Sequence, residues 1–263
     1  MYFIDTHTHL FDERFDADRA EVVACSVENG VKKLLLPATD SGTHEKVIRT
    51  VKEFPGVCYA MMGLHPTSVN DNPDYMQDLR LVEKYLEEKP VDFVAVGEIG
   101  LDLYWSRDFQ KEQEKALRFQ LELALKYDIP VVLHVRDAFA EIFRVLEDYK
   151  GYSLRGVFHS FFGTEEDYRT IKTLGDFKVG ISGPVTYKKS DLTDVIPLIP
   201  LEDILLETDA PYLPPVPYRG KRNESCYIPL IAAKIAELKD IPVATVAETT
   251  TSNAEKLFSA IRG

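Results

Sequence analysis

VDFVAVGEIGLDLYWSRDFQKEQEKALRFQLELALKYDIPVVLHV (91–135) holds two short apolar runs, VDFVAVG (91–97) and PVVLHV (130–135), on either side of a long amphipathic segment. Within 109–127, Phe109, Ala116, Phe119, Leu123 and Ala124 include the i, i+3/i+4 spacings of a buried helical stripe, whereas Lys111, Glu112, Glu114 and Lys115 form a solvated face. A strand, a helix and a second strand in that order predict a parallel pair joined by a right-handed crossover.

The same alternation extends to both ends. Further apolar runs are YFID (2–5), KKLLLP (32–37), VCYAMMG (57–63), RGVFHS (155–160), FKVGIS (177–182) and DILLET (203–208), which brings the number to eight. Helical segments are predicted over 17–29, 42–53, 75–88, 137–149, 164–174, 188–196 and 226–238. Eight units of about 33 residues each predict a closed (β/α)8 TIM barrel. A doubly wound open sheet suits six units better, and no glycine-rich phosphate fingerprint follows the first strand. The segment 242–260 adds a C-terminal helix, and no linker or repeat interrupts the chain, so 1–263 reads as a single domain.

Composition narrows the function classes. The 263 residues carry 31 Lys+Arg against 43 Asp+Glu, a formal charge of −12, and 45% are hydrophobic. That balance belongs to a globular protein and argues against a dedicated duplex-DNA coat, which needs a basic face. Cys25, Cys58 and Cys226 form no CxxC pair and are odd in number, which predicts reduced thiols and a cytoplasmic location. No run reaches the ~18–20 apolar residues of a membrane span. The opening MYFIDTHTHLFDE lacks the basic-then-apolar pattern of a signal peptide.

In a barrel of this kind the active site lies beyond the C-terminal ends of the strands. His7 and His9 follow the first run, Glu98 the fourth, His134 and His159 end the fifth and sixth, and Asp209 follows the eighth. One histidine near a strand end is ordinarily a satisfied core or surface residue. Four of six histidines and two carboxylates in equivalent places are harder to assign that way. Residues i and i+2 of a strand share a face, so His7 and His9 can direct both imidazoles at one cation. Imidazole with carboxylate suits Zn2+, Mn2+ or Mg2+. Six ligands exceed what one catalytic zinc takes from protein, so two divalent ions sharing a carboxylate resolve the count.

With these residues in view the chain resembles the TatD family of metal-dependent deoxyribonucleases, within the wider amidohydrolase-like superfamily. The resemblance covers nearly the whole chain and is carried by DTHTHL (5–10), GLHP (63–66), GEIGLD (97–102), LHVRDA (133–138), FHSFFG (158–163), ETDAPYL (207–213) and RGKRNES (219–225). It implies that His7, His9 and Asp209 hold one ion and His134 and His159 the other, with Glu98 bridging. It also implies hydrolysis of DNA phosphodiesters, as a 3′-to-5′ exonuclease on single-stranded ends, in a monomer or small homo-oligomer. Asp209 and Glu98 are then the catalytic carboxylates, Asp209 orienting a water and taking its proton.

Phosphate needs protein donors as well. Arg136 shares a strand face with His134, and RGKR (219–222) follows the eighth strand. Arginine offers planar bidentate donors, which makes Arg136, Arg219 and Arg222 candidate substrate contacts, together with His65. Asp5 and Glu207 share strand faces with His7 and Asp209 and are expected to orient them. Asp102 and Tyr104 are expected to shape the cleft from a loop after Glu98, Tyr104 and Trp105 to pack beneath a loop, and His44 to lie on the surface. Two rival readings remain. Sites of this kind also open amides, lactones and aminoacyl esters. A non-enzymatic scaffold would have no need of the complete ligand set.

Overall fold

Strands covered on both faces need apolar side chains at nearly every position, and in the central strands the burial is close to complete: all ten residues of Phe93–Asp102 are buried, and six of seven in Val31–Pro37. In the computed structural model, which describes residues 2–262, eight such strands form one sheet. They are β1 (Phe3–Asp5), β2 (Val31–Pro37), β3 (Cys58–Met62), β4 (Phe93–Asp102), β5 (Val131–Arg136), β6 (Arg155–Phe158), β7 (Asp176–Ile181) and β8 (Ile204–Leu206). They pair in parallel and in sequential order. Past the strand ends the first and last segments meet: Thr6 N–H donates to Leu206 O (3.0 Å), Asp209 N–H to His7 O (2.9 Å) and His9 N–H to Ala210 O (2.7 Å). The result is a (β/α)8 TIM barrel. Met1 and Gly263, the ends of the 1–263 domain assignment, lie outside the described residues.

The helices are α1 (Arg19–Glu28), α2 (Ser41–Glu53), α3 (Tyr75–Glu88), α4 (Gln110–Tyr127), α5 (Phe139–Glu147), α6 (Glu165–Leu174), α7 (Leu192–Val195), α8 (Ile228–Lys239) and α9 (Val243–Leu257). Local chemistry sets their ends. Asp40 with Thr43, and Thr164 with Asp167, form reciprocal caps at the starts of α2 and α6, each satisfying backbone donors that have no helical partner. The seventh helix is shorter than the 188–196 expected: α7 has four residues, and 3-10 turns surround it. Pro197 follows α7 after one residue and Pro200 soon after, and proline supplies no N–H to propagate an α-helix.

Two apolar layers hold the barrel. The larger lies between strands and helices. The smaller takes Ile4, Leu35, Met61, Ala95, Val132, Val157 and Leu205 from seven strands and packs them against Ala254, Leu257, Phe258 and Ile261 of the C-terminal segment. The additional helix α9 therefore closes the N-terminal end of the barrel. No helix among the described residues is long and apolar enough to cross a membrane.

A polar tie fixes the approach to β8. Asp203 Oδ1 accepts from Lys172 Nζ (2.9 Å) and Lys178 Nζ (3.0 Å), and Oδ2 accepts from Tyr168 Oη–H (2.7 Å). Burial pushes this carboxyl up, but the bonds from Lys172, Tyr168 and Lys178 outweigh it and hold the group below its usual range. A depressed folded pKa stabilises the protein above the unfolded value of about 3.9, and this is lost as pH falls through the folded pKa. Asp203→Ala is expected to cost about 1–3 kcal/mol at neutral pH. Thermal unfolding at pH 7 and again below pH 4 checks this: the gap between variant and parent should narrow in acid.

Candidate metal centre at the barrel mouth

The inward face of three strands carries a core residue and then, two positions on, a polar one: Val132 and His134, Val157 and His159, Leu205 and Glu207. The two-residue period of a strand thus places chemistry directly above packing. β4 is longer than the 91–97 run suggested, and Glu98 lies within it rather than after it. Gly100 pairs with His134 and Asp102 with Arg136. Gly100 makes this pairing possible, with φ +144° and a position where a Cβ would lie 1.9 Å from His134 O. Asp209 adopts a left-handed conformation (φ +58°) and so does Ser160 (φ +43°), both directly at strand exits where side chains are turned into the mouth.

Glu98 sits at the centre. Its Oε2 lies 3.3 Å from His7 Nε2 and 3.8 Å from His9 Nε2. Its Oε1 lies 3.0 Å from His134 Nδ1, 3.3 Å from His65 Nε2 and 3.3 Å from His159 Nε2. Asp209 Oδ1 stands 3.2 Å from His9 Nε2 and 3.7 Å from His7 Nε2, and the two Nε2 atoms are 3.3 Å apart. Three donor sets that could hold a metal ion arise among the described residues: His7, His9 and Glu98; His7, His159 and Asp209; and His65, Glu98 and His134. Within each, the ligand atoms lie within 4.8 Å of one another.

All six predicted ligands are thus brought together: His7, His9 and Asp209 lie within 3.7 Å of one another, Glu98 Oε1 faces both His134 and His159, and further overlapping sets arise beside these. His65, expected to face substrate, joins Glu98 and His134, while His159 joins His7 and Asp209. GLHP places His65 just past β3, as His7, His9 and His159 lie just past β1 and β6, so the signal was present. Its orientation is fixed by Thr67, whose N–H donates to His65 Nδ1 (3.2 Å) and whose Oγ1 lies 2.7 Å from the same atom.

Charge explains the cluster's state. Burial pushes Glu98 up, but the imidazoles of His65, His159 and His7 hold it well below the ordinary carboxylate range. Burial likewise opposes the ionised form of Asp209, and His9, His159 and His7 keep its pKa low. His7 is pushed down by burial and then by the neighbouring His159. Burial lowers His159 too, yet Glu207 and Glu98 raise it well above the usual histidine value. Neutral imidazoles such as His7 facing ionised carboxylates are the donor set that a hard or borderline divalent cation takes.

A second ring of groups holds these side chains. Glu207 is fully buried, and its Oε1 accepts from Ser160 N–H (2.5 Å) and lies 3.0 Å from His159 Nδ1. Asp5 accepts from Thr208 N–H (2.9 Å) and Thr208 Oγ1–H (2.6 Å), and weakly from His7 N–H (3.3 Å); burial pushes its pKa up to about 7. Asp102 is not a loop residue. It ends β4, is 1% exposed, and sets its Oδ2 2.9 Å from His134 Nε2.

The remaining expectations divide. Arg136 lines the cavities on both sides of the centre, its guanidinium 3.7 Å from the ring centroid of Tyr104. Arg219 stacks on Tyr187 at 4.4 Å. Arg222 instead is consumed by the fold: it donates to Asp18 (2.6 and 2.9 Å), Glu224 (2.9 Å) and Arg14 O (2.6 Å). Tyr104 and Trp105 do not pack beneath a loop but stand in solvent, 52% and 67% exposed. His44 is not on the surface. It is wholly buried, its Nε2 3.2 Å from Gly63 O, because α2 turns it toward β3 and the loop after it.

The profile of the family described as TatD related DNase matches residues 4–259. The uncharacterized metal-dependent hydrolase YabD of Bacillus subtilis is 33% identical over 255 residues, covering 97% of this chain and 98% of its own. The 3′-5′ ssDNA/RNA exonuclease TatD of Pantoea vagans is 33% identical over 260 residues, with 97% and 98% covered. Among solved structures, that of the TatD homologue YjjV from Escherichia coli superposes with a TM-score of 0.89 at 34% identity, covering 98% of both chains.

Gly180 offers a way to disturb the centre without touching a ligand. A Cβ there would lie 2.1 Å from Glu207 Oε2. Gly180→Ala is expected to keep the barrel while displacing the carboxylate that orients His159, weakening divalent-ion affinity about 10–100-fold. Titration calorimetry with Mn2+, alongside circular dichroism, checks both parts.

Proposed function

Because the chain belongs to the TatD family of metal-dependent hydrolases, we propose that it is a nuclease that hydrolyses phosphodiester bonds at single-stranded DNA ends in the 3′-to-5′ direction. The observation that carries this is the placement of Glu98, whose two oxygens face different histidine sets, with Asp209 and Arg136 opening onto the same cavities. The name given to the Pantoea vagans relative points to the same reaction class. When bound, a pair of divalent ions (Mg2+, Mn2+ or Zn2+) supplies an acidified water and neutralises phosphate charge. His7, His9, His65, His134, His159, Glu98 and Asp209 would hold them.

The chain's own groups do the rest. Asp209 is ionised, partly open to the cavities, and makes its recorded hydrogen bond through Oδ1 alone, so Oδ2 is free to take a proton from the attacking water. Arg136 is held flat by Tyr104, which presents its N–H edge to a phosphate oxygen without the entropy cost of a loose side chain. Asp102 and Glu207 keep His134 and His159 from rotating away.

The test is release of mononucleotides from 5′-labelled single-stranded DNA with Mg2+ or Mn2+, beside a panel of amides, lactones and aminoacyl esters. Cleavage within that panel and none of DNA overturns the phosphodiester reading. Asp209→Asn is expected to fold normally and to lower kcat by about 10²–10⁴. Near-parental turnover at saturating metal removes Asp209 from the role of base.

A further inference from the structure

Past Leu206, the end of β8, Glu207, Thr208 and Ala210 remain buried, so the backbone carbonyls there need partners inside the protein. Asp209 takes its left-handed conformation (φ +58°) in the middle of this stretch, which costs free energy that the surroundings must offset. Tyr212 N–H donates to Asp209 O (2.8 Å) and closes a turn. The carbonyls on either side, Thr208 O before Asp209 and Tyr212 O after it, find no backbone donor among the described residues.

One side chain meets both. Asn223 is wholly buried, and its Nδ2 donates to Thr208 O (2.8 Å) and to Tyr212 O (2.6 Å). Its Oδ1 accepts from Glu224 N–H (2.9 Å), and its own N–H donates to Pro211 O (3.1 Å). Because both partners of the amide are carbonyl oxygens, the nitrogen and not the oxygen must face them. The place demands a neutral group with two donors on a short stem. Alanine leaves two buried carbonyls bare, and a carboxylate sets an acceptor against two others. Arg222, next in the chain, ties the loop to Asp18 just before α1, so Asn223 is itself held in place.

The turn bracketed in this way carries the Asp209 carboxylate, whose Oδ1 stands 3.2 Å from His9 Nε2 and 3.7 Å from His7 Nε2. Relaxation of Asp209 to a right-handed conformation would swing the carboxylate off both imidazoles. Asn223 lines neither cavity at the centre, so whatever it does there it does through Asp209. We propose that Asn223 is the positioning residue of Asp209: it bridges the carbonyls on both sides of the left-handed turn and thereby keeps the carboxylate aimed at the metal centre. Its effect on ion binding needs no particular substrate, whereas its effect on turnover rests on the reading of Asp209 as the base of the proposed nuclease.

The other end of β8 supplies a control. Asn253 of α9 is also buried, and its Nδ2 likewise donates to two carbonyls, Leu201 O (2.9 Å) and Ile204 O (2.9 Å), at the end of the strand remote from the centre. The experiment is Mn2+ titration calorimetry and thermal unfolding of the metal-free full chain. The variants are Asn223→Ala, Asn223→Asp, Asn253→Ala, Asp209→Asn and the double variant of Asn223→Ala with Asp209→Asn. Asn223→Ala and Asn253→Ala should each lower the melting temperature by about 2–10 °C. Only the Asn223 variants should weaken Mn2+ binding, by about 10–100-fold, at the ion that Asp209→Asn also weakens. The double variant should bind Mn2+ no worse than Asp209→Asn alone. Asn223→Ser keeps one donor and takes the place of the alanine variant if that one does not fold, with a smaller loss at the same ion. On whichever substrate the parent cleaves, Asn223→Ala should lower kcat about 10–100-fold with little change in KM. Parental Mn2+ affinity in a folded Asn223→Ala variant, an equal loss in Asn253→Ala, or a loss in the double variant that adds to that of Asp209→Asn overturns the positioning role. A selective loss of affinity in a protein that cleaves no phosphodiester upholds it and overturns the nuclease reading alone.

Discussion

Five imidazoles and five carboxylates withdrawn from water at the mouth of a barrel must match one another's charge, since an ion buried without a partner costs several kcal/mol. The match converges on Glu98, the one carboxylate that touches both halves of the cluster, and on a geometry in which His7 and His9 face each other across 3.3 Å. Nitrogen atoms brought that close, with carboxylate oxygens beside them, are a cation's coordination shell before they are a hydrogen-bond network. The demand for space around them then dictates residues with no chemistry of their own. Gly180 leaves room for the Glu207 carboxylate, and Gly100 lets β4 run against β5 far enough to carry Asp102 to His134.

The barrel was legible because parallel strands leave a period and a composition that a window of residues reveals. Eight apolar runs and the helices between them stand where periodicity puts them, to within a few residues, with the long 109–127 stripe appearing as α4 over Gln110–Tyr127. What escaped depends on contacts outside any such window. The extension of β4 rests on pairing with β5, 36 residues away for His134 and Glu98, and α7 stops just before Pro197. His44 reads as surface by its neighbours in sequence, and only the packing of α2 over the β3 exit buries it.

The convergence of the candidate ligands was legible for a related reason: strand ends are fixed points of the fold, so a histidine or carboxylate there has a known direction. The place of His65 was not, because it depends on how the loop after β3 turns that ring toward Glu98. His65 reads from sequence as a substrate contact, and the structure places its Nε2 as near to Glu98 as that of His159.

Arg219 and Arg222 show how the same residue type, three positions apart in one basic loop, acquires different surroundings. Nothing in RGKR distinguishes them. Arg222 meets Asp18, Glu224 and Arg14 O, which together take up all four N–H groups on its two terminal nitrogens. Arg219 meets a tyrosine ring, which fixes its plane and leaves its charge unmatched. A divalent ion held by such strand-end groups would polarise any oxygen brought to it, and amides, lactones and phosphodiesters all present one. Discrimination among them therefore falls to side chains around the rim, where Arg136 is a cation with no carboxylate partner among the described residues.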